Sequence, residues 1–545
     1  MSLSANDVII VQPYPFADHP SFPEGMLKRA LETAGFRVGV IETPFWQDPA
    51  AFSLLGRPGL FFAVVSGPLD SVVLNYTAGR RRRREDLYQL DGQAFFAGRP
   101  PDIKFKIRPD RTVTVFCNRL RAAFPGVPLV IGGVEAHLRC FAHYDFQEEK
   151  VRRSVLLDSR ADILVSGSGE KQAVAIARLL HRGVPLQEID IPGTARVLSR
   201  LPEGKDCLEL PACEAVQADA GELLRSQQLV NEAGGGRALA QRHANRWVVQ
   251  NPAASYAGAD LDFIYGLEYG RRHPGRSTYS PALRMNLFSV TAHRGCAGSC
   301  SFCSITRSEG RRVVSRSPDS IFREIRSLAG HPRWRGVVSD IGGPTAEMYG
   351  SDCSVEPCRR ASCLRPRICP HFAPGDGYLS LLRGARALPG VSQVMLGSGV
   401  RHDLMLRNPE LLEEILRWHC GRFLRVAPEH TEDEVLDLMG KPRFAVFEEF
   451  VRLFQRLNRG LRRPVELAPY LIVGHPGETA AMVPVMRDKL RALGLKTCDA
   501  QIFTPSPGTL STAMYHAEAS PAGAPLAVEK SIRALQERKR MLGGE

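Results

Sequence analysis

Thr291-Ala-His-Arg-Gly-Cys296-Ala-Gly-Ser-Cys300-Ser-Phe302-Cys303 spaces three cysteines as Cys-x3-Cys-x2-Cys on one short loop. Three thiolates so arranged can ligate three irons of a [4Fe–4S] cluster, leaving the fourth iron an open position where chemistry can occur. Gly295 and Gly298 let the backbone wrap closely around so bulky a group. The plainer alternative is structural zinc, but zinc favours four protein ligands in a closed tetrahedron. Iron–sulfur is the better fit.

On both sides of this loop the sequence keeps a βα rhythm. Apolar runs at 287–291, 336–341, 391–396, 423–427, 467–473 and 499–503 predict strands. Amphipathic stretches at 319–328, 378–388, 410–420, 432–439 with 446–457, and 480–493 predict the helices that follow them. The fold class is therefore α/β, with an incomplete (β/α)6 barrel over 286–505 whose chemistry sits at the carboxyl ends of its strands. The cysteine loop follows the first strand. Asp340-Ile-Gly342-Gly343-Pro344-Thr345 follows the second and Ser398-Gly-Val-Arg401 the third. Val426-Ala-Pro-Glu429-His430 follows the fourth and Ile472-Val-Gly474-His475-Pro-Gly-Glu478-Thr479 the fifth.

Upstream, apolar runs at 7–12, 36–41, 60–65, 112–116, 127–131 and 163–165, with a helix at 25–34, predict a doubly wound parallel sheet over 1–200. Residues 201–285 read as a linker packed on the next domain, and 506–545 as a tail. Lys and Arg total 71 against 58 Asp and Glu, a balance of +13 that permits nucleic acid without requiring it. The arginine run at 80–84 reads as a solvated, salt-bridged helix face. Thirteen cysteines, an odd number without a secretory leader, argue against a disulfide framework. Seven of them fall between Cys296 and Cys369, as expected of metal ligands. No apolar run reaches the roughly 18 residues of a membrane span, so the expectation is a cytoplasmic protein with no membrane partner.

The cysteine loop, with an aromatic residue just before its last cysteine, resembles the signature of the radical S-adenosylmethionine (SAM) superfamily. The resemblance implies that Cys296, Cys300 and Cys303 hold a [4Fe–4S] cluster whose open iron chelates SAM. One electron then cleaves SAM to methionine and a 5′-deoxyadenosyl radical, which acts on an unidentified substrate. An electron donor such as flavodoxin or ferredoxin is implied as a partner. Phe302 would flank the adenine. Gly342, Gly343, Pro344 and Thr345 would line the amino group, with Pro344 standing where the family has an acidic residue. Ser398 and Arg401 would face ribose and carboxylate, and Gly474 the adenine. Asp18-His-Pro-Ser-Phe22, Gly132-Gly-Val-Glu-Ala136, His143-Tyr-Asp145, Asn251-Pro252, Ser315-Arg-Ser317, Gly342-Gly-Pro-Thr-Ala346 and Gln501-Ile-Phe-Thr-Pro505 are similar to the YgiQ-type radical SAM proteins, almost throughout the chain.

Two further expectations concern cofactors. An insertion at 346–375 carries Cys353-x4-Cys358-x4-Cys363-x5-Cys369-Pro370, with prolines also at 357, 366 and 374. It is too short and polar to bury its own core, so metal would supply its folding energy; zinc and a second [4Fe–4S] cluster both suit these gaps. The amino-terminal domain is of the type that binds cobalamin in many radical SAM enzymes. Those that ligate cobalt through histidine show Asp-x-His-x-x-Gly, whereas Asp18-His19-Pro20-Ser21-Phe22 lacks that spacing. Ser66-Gly67 and Gly132-Gly133 match the remaining elements loosely, and the sequence argues against cobalamin. Competing functions are methylthiolation of tRNA or protein, and a non-catalytic iron–sulfur sensor or scaffold. No catalytic acid or base stands out among His293, His402, His430 and His475.

Overall fold

The computed structural model describes residues 6–543 apart from 352, 354, 356, 357, 359, 361, 373–376 and 496–498. Two compact units emerge. The first comprises Met1–Ser255, Leu267–Leu287 and Ser506–Gly508, the second Tyr256–Gly266, Phe288–Pro505 and Thr509–Glu545.

The first unit is built on a nine-stranded sheet. Its strands are β1 (Val8–Gln12), β2 (Val38–Glu42), β3 (Phe61–Val65), β4 (Leu129–Gly132), β5 (Ile163–Val165), β6 (Thr194–Leu198), β7 (Cys207–Leu210), β8 (Ala238–His243) and β9 (Arg246–Gln250). The order is β2-β1-β3-β4-β5-β6-β9-β8-β7. The first five pair in parallel, as the continuous apolar runs predict. Side chains alternate between two cores: Ile9, Val11, Phe62 and Val64 enter one, Val8, Ile10, Phe61 and Ala63 the other.

Four expectations are corrected here. Residues 201–285 are not simply a linker, because β7, β8 and β9 extend the same sheet. The sheet is also mixed: β5–β6, β6–β9 and β9–β8 are antiparallel. The run at 112–116 is not a strand but the start of the helix Thr112–Ala123. Its β-branched residues suggested a strand, yet Val113, Phe116, Cys117 and Leu120 are fully buried at helical spacing. Burial of that stripe outweighs a β preference of at most ~1 kcal/mol. The arginines at 80–84 lie in an irregular loop, with Arg82 in an isolated bridge to Tyr76, rather than on a helix face.

In the second unit the parallel strands are β10 (Ser289–Thr291), β11 (Val337–Val338), β12 (Asp340–Gly342), β13 (Gln393–Val394), β14 (Phe423–Glu429), β15 (Glu466–Val473) and β16 (Asp499–Ile502), and a short antiparallel pair joins His293–Arg294 to Val314–Ser315. The second predicted strand is thus two, because the ladder switches partner at Ser339. β10 pairs with β12, β11 with β13, β14 with β15 and β15 with β16, all in parallel. A parallel bridge between Val400 and Val426 joins the third predicted strand end to β14. The helices Pro318–Ser327, Gly377–Arg386, Asp433–Met439, Phe444–Asn458 and Met482–Ala492 fall where the periodicity places them. The tail is structured: Leu510–Ala517 and Ile532–Gly543 are helices. Among the described residues no helix is long and apolar enough to cross a membrane.

Candidate functional site

The cysteine loop leaves the strand His293–Arg294 and is fixed by its neighbours. Gly295 has φ +85°, and a Cβ there would overlap the Arg312 carbonyl oxygen, so only glycine fits. Cys296 N–H donates to Gly310 O at 3.1 Å, and Ser301 N–H to Met439 O at 2.9 Å. Ser301 Oγ donates to Leu438 O at 2.7 Å and lies 2.7 Å from Ser511 Oγ, which ties the loop to the carboxy-terminal segment.

The thiols of Cys296 and Cys300 flank Gly298. A Cβ on Gly298 would stand 3.5 Å from Cys296 Sγ and 3.7 Å from Cys300 Sγ. Burial pushes the Cys296 thiol up to about 11 and that of Cys303 up to about 12, and the charge of Cys300 adds to both. Half-buried thiols that resist ionisation are a donor set a cationic cluster would satisfy, since a metal takes up their negative charge. The residues present fit a [4Fe–4S] cluster.

Arg401 lies against this loop, its Nη1 3.8 Å from Cys300 Sγ. Its Nε and Nη2 donate to Asp403 Oδ1 and Oδ2 at 3.0 and 2.8 Å. Both side chains are buried. Burial alone would raise the Asp403 carboxyl, but the arginine holds it well below the usual range. The backbone N–H of Arg401 donates to Glu347 Oε1 at 2.6 Å. Glu347 is 2% exposed, and its Oε2 has no hydrogen-bond partner among the described residues. Burial raises this carboxyl to about 7, its hydrogen bonds and Arg401 acting in the opposite sense. Sequence reasoning missed Glu347: it lies three residues past Pro344, in the turn Ala346–Met348, and only the turn brings it back.

The predicted glycines serve close packing. A Cβ at Gly342 would overlap Ser398 Oγ, and one at Gly343 would stand 2.5 Å from the His293 ring. Ser398 in turn donates to Asp340 Oδ2 at 2.5 Å, while Gly397 and Ser398 N–H groups donate to Oδ1 at 2.9 and 3.1 Å. Thr345 begins the turn that carries Glu347, and Pro344 precedes it. Gly474 has φ +78° and is covered by Leu535 of the last helix. Its N–H donates to Glu478 Oε1 at 2.9 Å, a carboxylate also held by Arg538 at 3.0 Å. Phe302 stands edge-on to His475, ring centroids 6.4 Å apart. His475 Nε2 lies 2.7 Å from Ser511 Oγ.

Burial lowers His293 to about 4 and His402 and His475 to about 3, favouring their neutral forms. Glu429, unread as a site residue, is a buried carboxylate at φ +73°, 3.8 Å from Lys441. Left-handed backbone at a non-glycine residue costs about 1–2 kcal/mol and gathers at functional positions. Burial raises its carboxyl; Lys441 and Arg401 oppose the shift.

The radical SAM N-terminal model matches residues 1–289 and the radical SAM superfamily model residues 290–490. A UPF0313 protein of Methanocella arvoryzae is 41% identical over 538 residues, 96% of this chain and 88% of that protein. One of Geobacter sulfurreducens is 42% identical over 551 residues, covering 98% and 89%. The chain belongs to the UPF0313 family of the radical SAM superfamily.

Among solved structures, this UPF0313 chain resembles the radical SAM methyltransferase TsrM from Kitasatospora setae with tryptophan and a SAM analog bound. The TM-score is 0.52 at 18% identity, over 99% of this chain and 83% of that one. OxsB with aqua-cobalamin bound gives a TM-score of 0.50 at 11% identity, over 95% and 57%. These likenesses are of fold, and they overturn the expectation against cobalamin. The same TsrM has been solved with cobalamin bound, and its fold is shared across the radical SAM N-terminal region. That expectation rested on a missing histidine motif, whereas the fold offers a sheet edge. At that edge Gly67 and Gly133 have φ +101° and +88°, and a Cβ on Gly133 would stand 2.6 Å from Ser66 Oγ. The Tyr14 ring lies on Gly67. His19 accepts from Ser21 N–H at 3.0 Å and lies 3.0 Å from Arg271 Nη1.

Proposed function

We propose that the second unit, as an incomplete (β/α)6 barrel, binds SAM over a [4Fe–4S] cluster held by Cys296, Cys300 and Cys303. Bound there, the cluster supplies one electron that cleaves SAM to methionine and a 5′-deoxyadenosyl radical for hydrogen abstraction from substrate. The carrying observation is the buried carboxylate of Glu347, one oxygen unpartnered, fixed by Arg401 beside the cysteine loop. An isolated buried carboxylate is costly, and the ammonium of SAM would neutralise it with a charge-assisted hydrogen bond. Glu347 thereby takes the part that Pro344 cannot. Asp403 keeps the Arg401 guanidinium in place against Cys300. Ser398 orients Asp340, and Phe302 and His475 give an aromatic wall for adenine. Gly342, Gly343 and Gly474 let these elements approach closely enough to do so.

The test is anaerobic reconstitution with reductant, followed by quantifying 5′-deoxyadenosine. Formation in the wild type and loss in Cys296→Ala/Cys300→Ala/Cys303→Ala supports the reading; no product from iron-loaded wild type would sink it. The fold of the first unit favours a second reading, in which cobalamin is an additional cofactor of methyl transfer. Cobalt bound stoichiometrically, with a corrin absorption spectrum, would support it.

A further inference from the structure

The cysteine loop is held from three directions. The insertion reaches it through Cys363, whose N–H donates to the Ala297 carbonyl at 3.2 Å; Pro357 and Pro374 of that insertion lie outside the described residues. The helix Asp433–Met439 accepts Ser301 N–H and Oγ–H on the carbonyls of Met439 and Leu438. The third support comes from the carboxy-terminal segment. Ser511 N–H donates to Ser301 O at 3.0 Å, and Ser511 Oγ lies 2.7 Å from both Ser301 Oγ and His475 Nε2. The helix Leu510–Ala517 thus joins the cysteine loop to the turn after β15.

The last helix, Ile532–Gly543, grips the same turn. Its buried residues are Leu535, Arg538 and Leu542, spaced i, i+3 and i+7 along one face. Leu542 enters the core of the second unit with Val483, Met486 and Ala500. Leu535 covers Gly474 so closely that a Cβ there would overlap its Cδ2. Arg538 lies between the two leucines and is 7% exposed. Its Nη1 donates to Glu478 Oε1 at 3.0 Å and its Nη2 to Glu529 Oε2 at 3.0 Å.

Glu478 is 1% exposed, and the oxygen that Arg538 holds also accepts Gly474 N–H at 2.9 Å. Its other oxygen lies 3.3 Å from His430 Nε2, out of hydrogen-bond alignment, while His430 Nδ1 accepts from Glu432 N–H at 3.0 Å. One carboxylate therefore sits among the ends of β14 and β15 and the last helix.

Docking the helix does not account for this arginine. A buried ion pair carries a desolvation cost, and apolar residues of similar volume often pack as well or better. A methionine at 538 would continue the stripe of Leu535 and Leu542. What a guanidinium adds is direction, because its planar fork fixes the carboxylate that it meets. The carboxylate in turn fixes the Gly474 peptide. Gly474, at φ +78° and without a side chain, has the widest conformational freedom of that turn, and its N–H is the handle by which it is held.

We propose that the carboxy-terminal segment is a clasp on the adenine end of the SAM site, and that Arg538 is a positioning residue acting through Glu478 on Gly474. This rests on the SAM reading above, in which the turn after β15 receives the adenine. Ser511 sets His475 and the cysteine loop, and Arg538 sets Gly474. The parts of the adenine site are thereby fixed relative to one another before the ligand arrives, so less conformational freedom is lost on binding.

The experiment uses the full chain as wild type, Arg538→Met and Leu542→Ala. Hydrogen–deuterium exchange of the Gly474 amide is followed in each apo protein. The reconstituted, reduced cluster is then titrated with SAM and, separately, with methionine, which lacks the adenosyl group. Loss of the charge-assisted link in Arg538→Met should speed Gly474 exchange and weaken SAM about tenfold, with the response to methionine unchanged. Leu542→Ala loosens the same helix without touching Glu478, and its SAM affinity should stay within about twofold of wild type. SAM affinity unchanged in Arg538→Met, lost equally in Leu542→Ala, or matched by an equal loss for methionine overturns the clasp while the SAM reading stands. A wild-type cluster that SAM does not perturb brings down the SAM reading and the clasp with it. Should Arg538→Met not fold, Glu478→Gln/Arg538→Met leaves neither charge buried alone: an about tenfold loss of SAM affinity supports the clasp, and unchanged affinity overturns it.

Discussion

Arg401 donates its backbone N–H to Oε1 of Glu347 at 2.6 Å, while its guanidinium stands 3.8 Å from Cys300 Sγ. One residue thus fixes a buried carboxylate and touches a cysteine of the first loop. Glu347→Gln keeps the acceptor for Arg401 but removes the charge. A charge-assisted hydrogen bond contributes about 1.5–3 kcal/mol, so SAM affinity should fall about 10- to 100-fold with iron content unchanged. Titrating SAM against the spectrum of the reduced cluster measures this. Unaltered affinity would leave Glu347 a packing residue.

The Arg401–Asp403 pair is buried and joined by two hydrogen bonds. Breaking such a pair from one side leaves an uncompensated charge, at about 3–5 kcal/mol. Arg401→Met should lower the urea midpoint of the apo protein by that equivalent. Arg401→Met/Asp403→Leu should be less destabilised than the single variant. A double variant worse than Arg401→Met would show that the arginine is held by something other than this aspartate.

Gly295 and Gly298 predict different sensitivities within one loop. Alanine at Gly295 meets backbone at Arg312 as well as a left-handed φ, and no side chain can move to relieve it. At Gly298 its first obstacle is the end of Arg401, 3.0 Å away. Gly295→Ala should abolish the SAM-responsive cluster signal while far-ultraviolet circular dichroism stays near wild type. Gly298→Ala should retain most of that signal. Equal loss in both would point to a purely steric demand of the cluster itself.

In the first unit, Glu24 is fully buried and accepts a hydrogen bond from Tyr14 at 2.9 Å. Burial raises its carboxyl from 4.5 to about 8. The folded state therefore binds the proton more tightly than the unfolded chain. The stability this gives is fully present below about 4.5 and is lost as pH rises toward 8, with a slope near 1.4 kcal/mol per pH unit. Glu24→Gln should remove that slope and stabilise the protein at pH 8. Urea midpoints from pH 4 to 9 would show it; parallel curves for the two proteins would place the titration elsewhere.

The chain's local chemistry was legible in the sequence. Cys-x3-Cys-x2-Cys is a covalent spacing, so no fold was needed to see that three thiols share one loop. Strand runs such as Val8–Gln12 and Glu466–Val473, and helices such as Phe444–Asn458, follow from apolar periodicity that the chain carries by itself. What required the tertiary structure was every relationship between distant segments. A stretch of 112–116 resembles a strand until its buried stripe continues to Leu120. Strands β7–β9 carry weak local signals and become sheet only because an edge is available to receive them. Glu347 gains its meaning from Arg401, Gly474 from Leu535, and Cys363 from Ala297. Hydrogen bonds and close packing act over a few ångströms in space, whatever the distance along the chain. The sequence by itself therefore determined which groups bring the chemistry; tertiary structure decided which of them meet.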